Sequence, residues 1–278
     1  MERAYKVFTS NSYSLHKISS SDNLSFSKIE YSKFKFGDAA IAEIFGKELA
    51  KNFIKDVLTN YYNGEQLIVV SSPYSFIPTA TFYMKNYFNY EVNKWLVYNN
   101  YPVVQETKIH RSTSYSEDYG QLNSIERMNL IGNDIFYIDK KFIENKIILF
   151  LDDVRITGSH ETMIKKMLNR LEIPNKYFLL YFAELVNDAI PPSIENELNY
   201  AFVKSVWDID KILSENNLAI NTRVVKFILN CEHQMFIQFI EKQDENFKKL
   251  IFNMALGNAY HNIELYKPNL SYLQKRII

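Results

Sequence analysis

The residues best equipped for chemistry lie in one stretch, KIILFLDDVRITGSHETMIKKM, from Lys146 to Met167. Asp152 and Asp153 set two carboxylates side by side, and Thr157, Gly158 and Ser159 follow with two hydroxyls and one permissive backbone position. Backbone amides exposed at a helix start favour an anion, most often a phosphate. Two carboxylates would repel it, so their natural partners are hydroxyl groups or a metal ion. A sugar phosphate meets both demands. Taken singly, the acids could merely cap a strand and Thr157 a helix; the ordered combination points to a ligand.

The elements that must hold these groups are legible around them. Ile147 to Leu151 is a continuous apolar run, as expected of a strand buried on both faces of a parallel sheet. The acids then stand at its carboxyl end, where open α/β sheets bind ligands. Met163, Ile164, Met167 and Leu168 recur at helical spacing beyond the turn.

The stretch resembles the phosphoribosyl diphosphate (PRPP) motif of type I phosphoribosyltransferases: a hydrophobic strand, two acids, a few residues, then Thr-Gly and a small residue. The resemblance implies that Asp152 and Asp153 contact the ribose hydroxyls, while Arg155, Ile156, Thr157, Gly158, Ser159 and His160 wrap the 5′-phosphate. Many family members carry threonine where Ile156 stands and Ser or Thr where His160 stands. That departure leaves the backbone cradle intact, and a protonated His160 would add positive charge. The runs YSKFKFGDAAIAEIFGKELA, SSPYSFIPTA, ITGSHE and IENELN together resemble a divergent bacterial branch associated with tellurium-resistance-type gene clusters.

Leu67 to Val70 forms a short apolar strand ending in Ser71, Ser72, Pro73 and Tyr74, with a helix starting near Pro78. The family binds pyrophosphate in the loop after its first core strand, so the resemblance gives these four residues that role. The loop holds no base, so charge for the pyrophosphate must come from elsewhere. A polar segment follows Thr107 and ends in a helix from Ser124 to Leu130; the resemblance implies that it closes over PRPP, with Lys108 and Arg111 as the candidate catalytic cations.

Elsewhere, Asp38 to Leu58 reads as a helix capped by Asp38, and Tyr31, Phe34 and Phe36 as an extended segment with Lys33 and Lys35 on its solvated face. Trp95 to Thr107 also reads as extended, and Tyr177 to Phe182 as a further buried strand. From Trp207 onward the apolar pattern is helical, with Asn221 and Asp244 as N-caps. The expected architecture is α/β: a Rossmann-like, mainly parallel sheet flanked by helices over residues 1–205, with a helical C-terminal region over 206–278 packed on it as a stabilising appendage or, alternatively, as a cover over the acceptor site.

Composition narrows the function classes. Lys plus Arg equals Asp plus Glu at 32 each, so no net charge draws the 278-residue chain to nucleic acid or an acidic membrane surface. Cys231 is the only cysteine, which removes internal disulfides and thiolate zinc sites and fits a cytoplasmic setting. No long apolar span or signal-like N-terminus is present, so a soluble, unprocessed protein is expected. By resemblance, the activity is Mg²⁺-dependent transfer of the 5-phosphoribosyl group from PRPP to a small nitrogenous acceptor, with a homodimer admitted. The alternative is a PRPP or nucleotide sensor without turnover.

Overall fold

The structure is a computed structural model that describes residues 12–111, 136–215 and 218–277. Five parallel strands form the main sheet in the order β1-β7-β6-β2-β3: β1 Ser12–Ile18, β2 Leu67–Ser71, β3 Gln105–Glu106, β6 Ile147–Arg155 and β7 Tyr177–Leu185. A separate antiparallel pair joins β4, His110–Arg111, to β5, Phe136–Tyr137. This is the expected parallel sheet flanked by helices.

The period-two alternation of a strand decides which helices cover which face. On one face Leu67, Val69, Leu149, Leu151, Leu180 and Phe182 pack against α1 (Lys28–Lys35), α2 (Ala39–Phe53) and α3 (Ala80–Tyr98). On the other, Ile68, Val70, Ile148, Phe150, Leu179 and Tyr181 meet Ile143 of α4 (Lys140–Ile143) and Ile164, Met167 and Leu168 of α5 (Ser159–Arg170). Beyond β7 come α6 (Ile194–Asn199), α7 (Val206–Ser214), α8 (Thr222–Asn230), α9 (His233–Glu241), α10 (Glu245–Gly257) and α11 (Lys267–Ile277). Ile194 and Leu198 of α6 join the first cluster, while the apolar faces of α7 to α11 build a third one that also takes in Phe36 and Ile77.

Several expectations need correction. Residues 31–36 are not extended: α1 runs to Lys35, capped by Ser27, whose side chain accepts from Glu30 N. Tyr31 and Phe34 fall on one face at helical i, i+3 spacing, and both are buried. Trp95 to Tyr98 belong to α3 rather than to an extended run, and only Gln105–Glu106 pairs with β2. The expected helix Ser124–Leu130 lies outside the described residues. The caps Asp38, Asn221 and Asp244 are as read, each side chain accepting from amides of its first turn.

Candidate active site

Strand order fixes where a site can form. From β2 the chain crosses through α3 to β3 on one side, and from β6 through α5 to β7 on the other, so the sheet reverses its winding between β2 and β6. Open α/β sheets hold ligands in the crevice at that point. Leu67 to Ser71 lie level with Ile147 to Leu151, so Ser72 and Asp152 emerge together. Ser72 Oγ donates to Asp152 Oδ1 at 2.6 Å.

Alternation along β6 sends the two acids to different partners. Asp152 continues the face of Ile148 and Phe150 and meets His160 at the start of α5, where Oδ2 lies 2.9 Å from Nδ1. Asp153 continues the opposite face toward α1, where its Oδ2 pairs with Lys35 and accepts from the Tyr31 hydroxyl at 3.2 Å. Burial alone would raise the Asp152 pKa; the His160 hydrogen bond and charge, the Ser72 hydroxyl and the Lys35 charge overcome this and hold it well below the usual carboxylate range. Burial works against charge on His160 as well, but the hydrogen bond and charge of Asp152 prevail and raise its pKa. Burial and then the Asp153 charge push the Tyr31 pKa up, which keeps its hydroxyl a donor.

The turn between β6 and α5 is shaped by Gly158, whose φ of +70° is left-handed. A Cβ there would be strained and would sit 3.3 Å from the Arg155 guanidinium. Thr157 Oγ1 and Ser159 Oγ are 2.7 Å apart. Arg155 frames the turn from below: its Nε donates to Glu161 at 2.8 Å and its Nη1 to Glu184 at 3.0 Å.

A cavity of about 490 Å³ opens over these groups. Asp152, Asp153 and all six residues from Arg155 to His160 line it, together with Ser72, Pro73 and Arg111. Other expected residues lie off it. Ser71 is buried at the end of β2, and Tyr74 pairs with His110. Lys108 donates to the Ser75 carbonyl and lies 4.0 Å from the centre of the Tyr74 ring, outside the lining.

Two sources of lining lie outside the expected site residues. Lys35, expected on a solvated strand face, is instead brought by α1 to Asp153 and lines the cavity. The helices after β7 are more than an appendage: Arg223, Lys226, Phe227 and Asn230 of α8 form a wall of the cavity, with Tyr200 and Tyr266 beside them, which agrees with the alternative of a cover. Their i, i+3, i+4, i+7 spacing, opposite the buried Val224, Val225, Ile228 and Leu229, was the available signal.

A parallel α/β sheet with paired acids and a hydroxyl-rich turn over a cavity at its winding reversal belongs to the class of doubly wound α/β folds. Within that class, the chain belongs to the PRTase ComF-like family, whose model matches residues 9–273. Similar solved structures include a hypoxanthine phosphoribosyltransferase from Staphylococcus aureus, at 14% identity and TM-score 0.33 over 55% of this chain and 76% of that one. Another is a hypoxanthine phosphoribosyltransferase mutant from Trypanosoma cruzi complexed with the product IMP, at 16% identity and TM-score 0.31 over 55% and 80%. No curated protein matches the chain. Among the described residues, no helix is long and apolar enough to cross a membrane.

Proposed function

We propose that the cavity binds PRPP and that the protein transfers its 5-phosphoribosyl group to a nitrogen nucleophile of a small acceptor, releasing pyrophosphate. One observation carries this reading: acceptors suited to ribose hydroxyls, Asp152 and Asp153, share a cavity with a donor-rich turn suited to a phosphate, Thr157 to Ser159. Membership of a phosphoribosyltransferase family supports the same class.

In this reading the amides of Ile156 to His160 and the hydroxyls of Thr157 and Ser159 hold the 5′-phosphate, and the His160 imidazolium adds charge. Arg155, bound to two carboxylates, positions the turn. Ser72 and Pro73 border the pyrophosphate. As pyrophosphate leaves C1, positive charge grows on the ribose and negative charge on the leaving group, so the residues act by positioning and charge stabilisation. Two carboxylates on the cavity suit a Mg²⁺ that takes its other ligands from phosphates and water; among the described residues no three His, Cys, Asp or Glu side chains gather to hold a metal alone. When bound, the ion would neutralise diphosphate charge.

A second reading, a PRPP or nucleotide sensor without turnover, is favoured by the pairing of both acids within the chain, Asp153 with Lys35 and Asp152 with His160. Calorimetric titration with PRPP and Mg²⁺ tests both: binding is expected, and changing both Asp152 and Asp153 to Asn should weaken it by about 10-fold or more. Absence of binding in the unaltered protein would sink both readings. Pyrophosphate release across a panel of nitrogen heterocycles then separates them, with binding and no release on any acceptor favouring the sensor.

A further inference from the structure

The loop after β2 holds no base, so what it offers a diphosphate depends on where its backbone and the Ser72 hydroxyl are held. One end is tied to β6, where Ser72 Oγ donates to Asp152 Oδ1. The other end is tied from far along the chain. Asn258, directly after α10, turns its Oδ1 to two successive amides of the loop, Phe76 N at 2.9 Å and Ile77 N at 3.0 Å. Two donors on one oxygen fix which end of the carboxamide faces the loop.

The surroundings make this contact a rigid one. On its far side, Asn258 Nδ2 donates to the Tyr260 hydroxyl at 2.9 Å. Asn258 and Ile77 are both buried, so loss of the Asn258 oxygen would leave the Ile77 amide in the interior without that acceptor. A Cβ at Gly257 would fall 2.2 Å from the Phe76 ring, so the end of α10 sits flush against the loop. Thr222, the first residue of α8, completes the grip: its Oγ1 donates to the Ile77 carbonyl at 2.8 Å and its N to the Pro78 carbonyl at 2.9 Å. Between the two anchors, Ser72 and Pro73 line the cavity, whereas Asn258 lies outside the lining.

We infer that Asn258 is a positioning residue for the diphosphate end of the site: through the Phe76 and Ile77 amides it holds the loop in the form that presents Ser72 and Pro73 to the leaving group. The inference rests on the PRPP reading above, and adds to it a residue of the C-terminal region that touches no substrate. A loop already held at both ends needs little ordering when a ligand arrives. Without Asn258 that ordering must accompany PRPP binding, and its cost falls on the diphosphate end rather than on the 5′-phosphate at the turn between β6 and α5.

The test is calorimetry of PRPP and of ribose 5-phosphate, each with Mg²⁺, on the full chain and on the variants Asn258→Ala and Tyr260→Phe. In Asn258→Ala, PRPP affinity is expected to fall about 10-fold while ribose 5-phosphate affinity is unchanged, which also shows that the variant is folded. Tyr260→Phe removes the bond on the far side of the same carboxamide, so it should lower the melting temperature and leave PRPP affinity unchanged. Unchanged PRPP affinity in Asn258→Ala would overturn the positioning role while leaving the PRPP reading standing. Equal losses for the two ligands, or an equal loss of PRPP affinity in both variants, would reduce Asn258 to a structural residue and overturn it as well. Tighter PRPP binding in Asn258→Ala would overturn it too, by showing that the Asn258 oxygen occupies amides that an anion can take. Failure of the unaltered chain to bind PRPP would overturn the PRPP reading and this role with it.

Discussion

Asp153 and Lys35 show how the site is held at the scale of single residues. The carboxylate side chain is 6% exposed and the lysine side chain 14%, so removing one partner strands the other charge away from water. Lys35→Met is expected to cost about 3 kcal/mol in urea unfolding, and adding Asp153→Asn should recover much of that loss. The Asp152–His160 pair makes a pH prediction. Because the folded pKa of His160 is raised, its contribution is complete below the unfolded value of about 6.5 and is lost as pH rises through the folded value. Because that of Asp152 is lowered, its contribution is present above the unfolded value of about 4 and is lost as pH falls through the folded one. Melting temperatures measured against pH should therefore fall on the alkaline side of pH 6.5, and His160→Gln should flatten that limb; an unchanged profile would refute the pairing. Both acids and the turn could be read from the sequence because they are contiguous on one strand and one helix start. Lys35 could not, because its role depends on α1 lying against β6 from more than a hundred residues away.

The elements carry their own test at Gly46. A Cβ there would fall 2.3 Å from the Met84 carbonyl oxygen and 2.9 Å from the Tyr87 Cβ, so α2 and α3 touch backbone to backbone. Gly46→Ala should lower stability by about 1–2 kcal/mol, even after the roughly 1 kcal/mol that alanine gains in helix propensity, as read from urea midpoints. The strands β2, β6 and β7 were legible because continuous apolar runs have few alternatives to a two-sided buried sheet. The helix α1 was misread since Phe34 and Phe36 alternate with Lys33 and Lys35, a strand-like pattern, while burial at Tyr31 and Phe34 follows the helical spacing. The last turn of α3 was lost because Trp95, Val97 and Tyr98 are β-favouring types, and the pairing of Tyr101 with Trp95 and Tyr62 stabilises a helix end instead.

Across the whole molecule, the C-terminal helices are interlocked with the end of α1 and the segment between β2 and α3. Phe36 and Ile77 lie fully inside their apolar cluster, and Ser32 Oγ donates to the Asn199 carbonyl at 2.7 Å. Thr222 Oγ1 donates to the Ile77 carbonyl at 2.8 Å. A chain ending at residue 205 is therefore expected to lose its cooperative thermal transition and to bind a hydrophobic dye; a sharp melt without dye binding would contradict this. Asn258 adds a different consequence. Its Oδ1 accepts from the Phe76 and Ile77 amides at 2.9 and 3.0 Å, and Ile77 lies 181 residues earlier in the chain. At ordinary rates of synthesis that interval lasts roughly 10–40 s. Throughout it, the segment leading from β2 to α3 waits without the residue that secures its amides, so the cavity is finished only once Asn258 and the lining residue Tyr266 have been made.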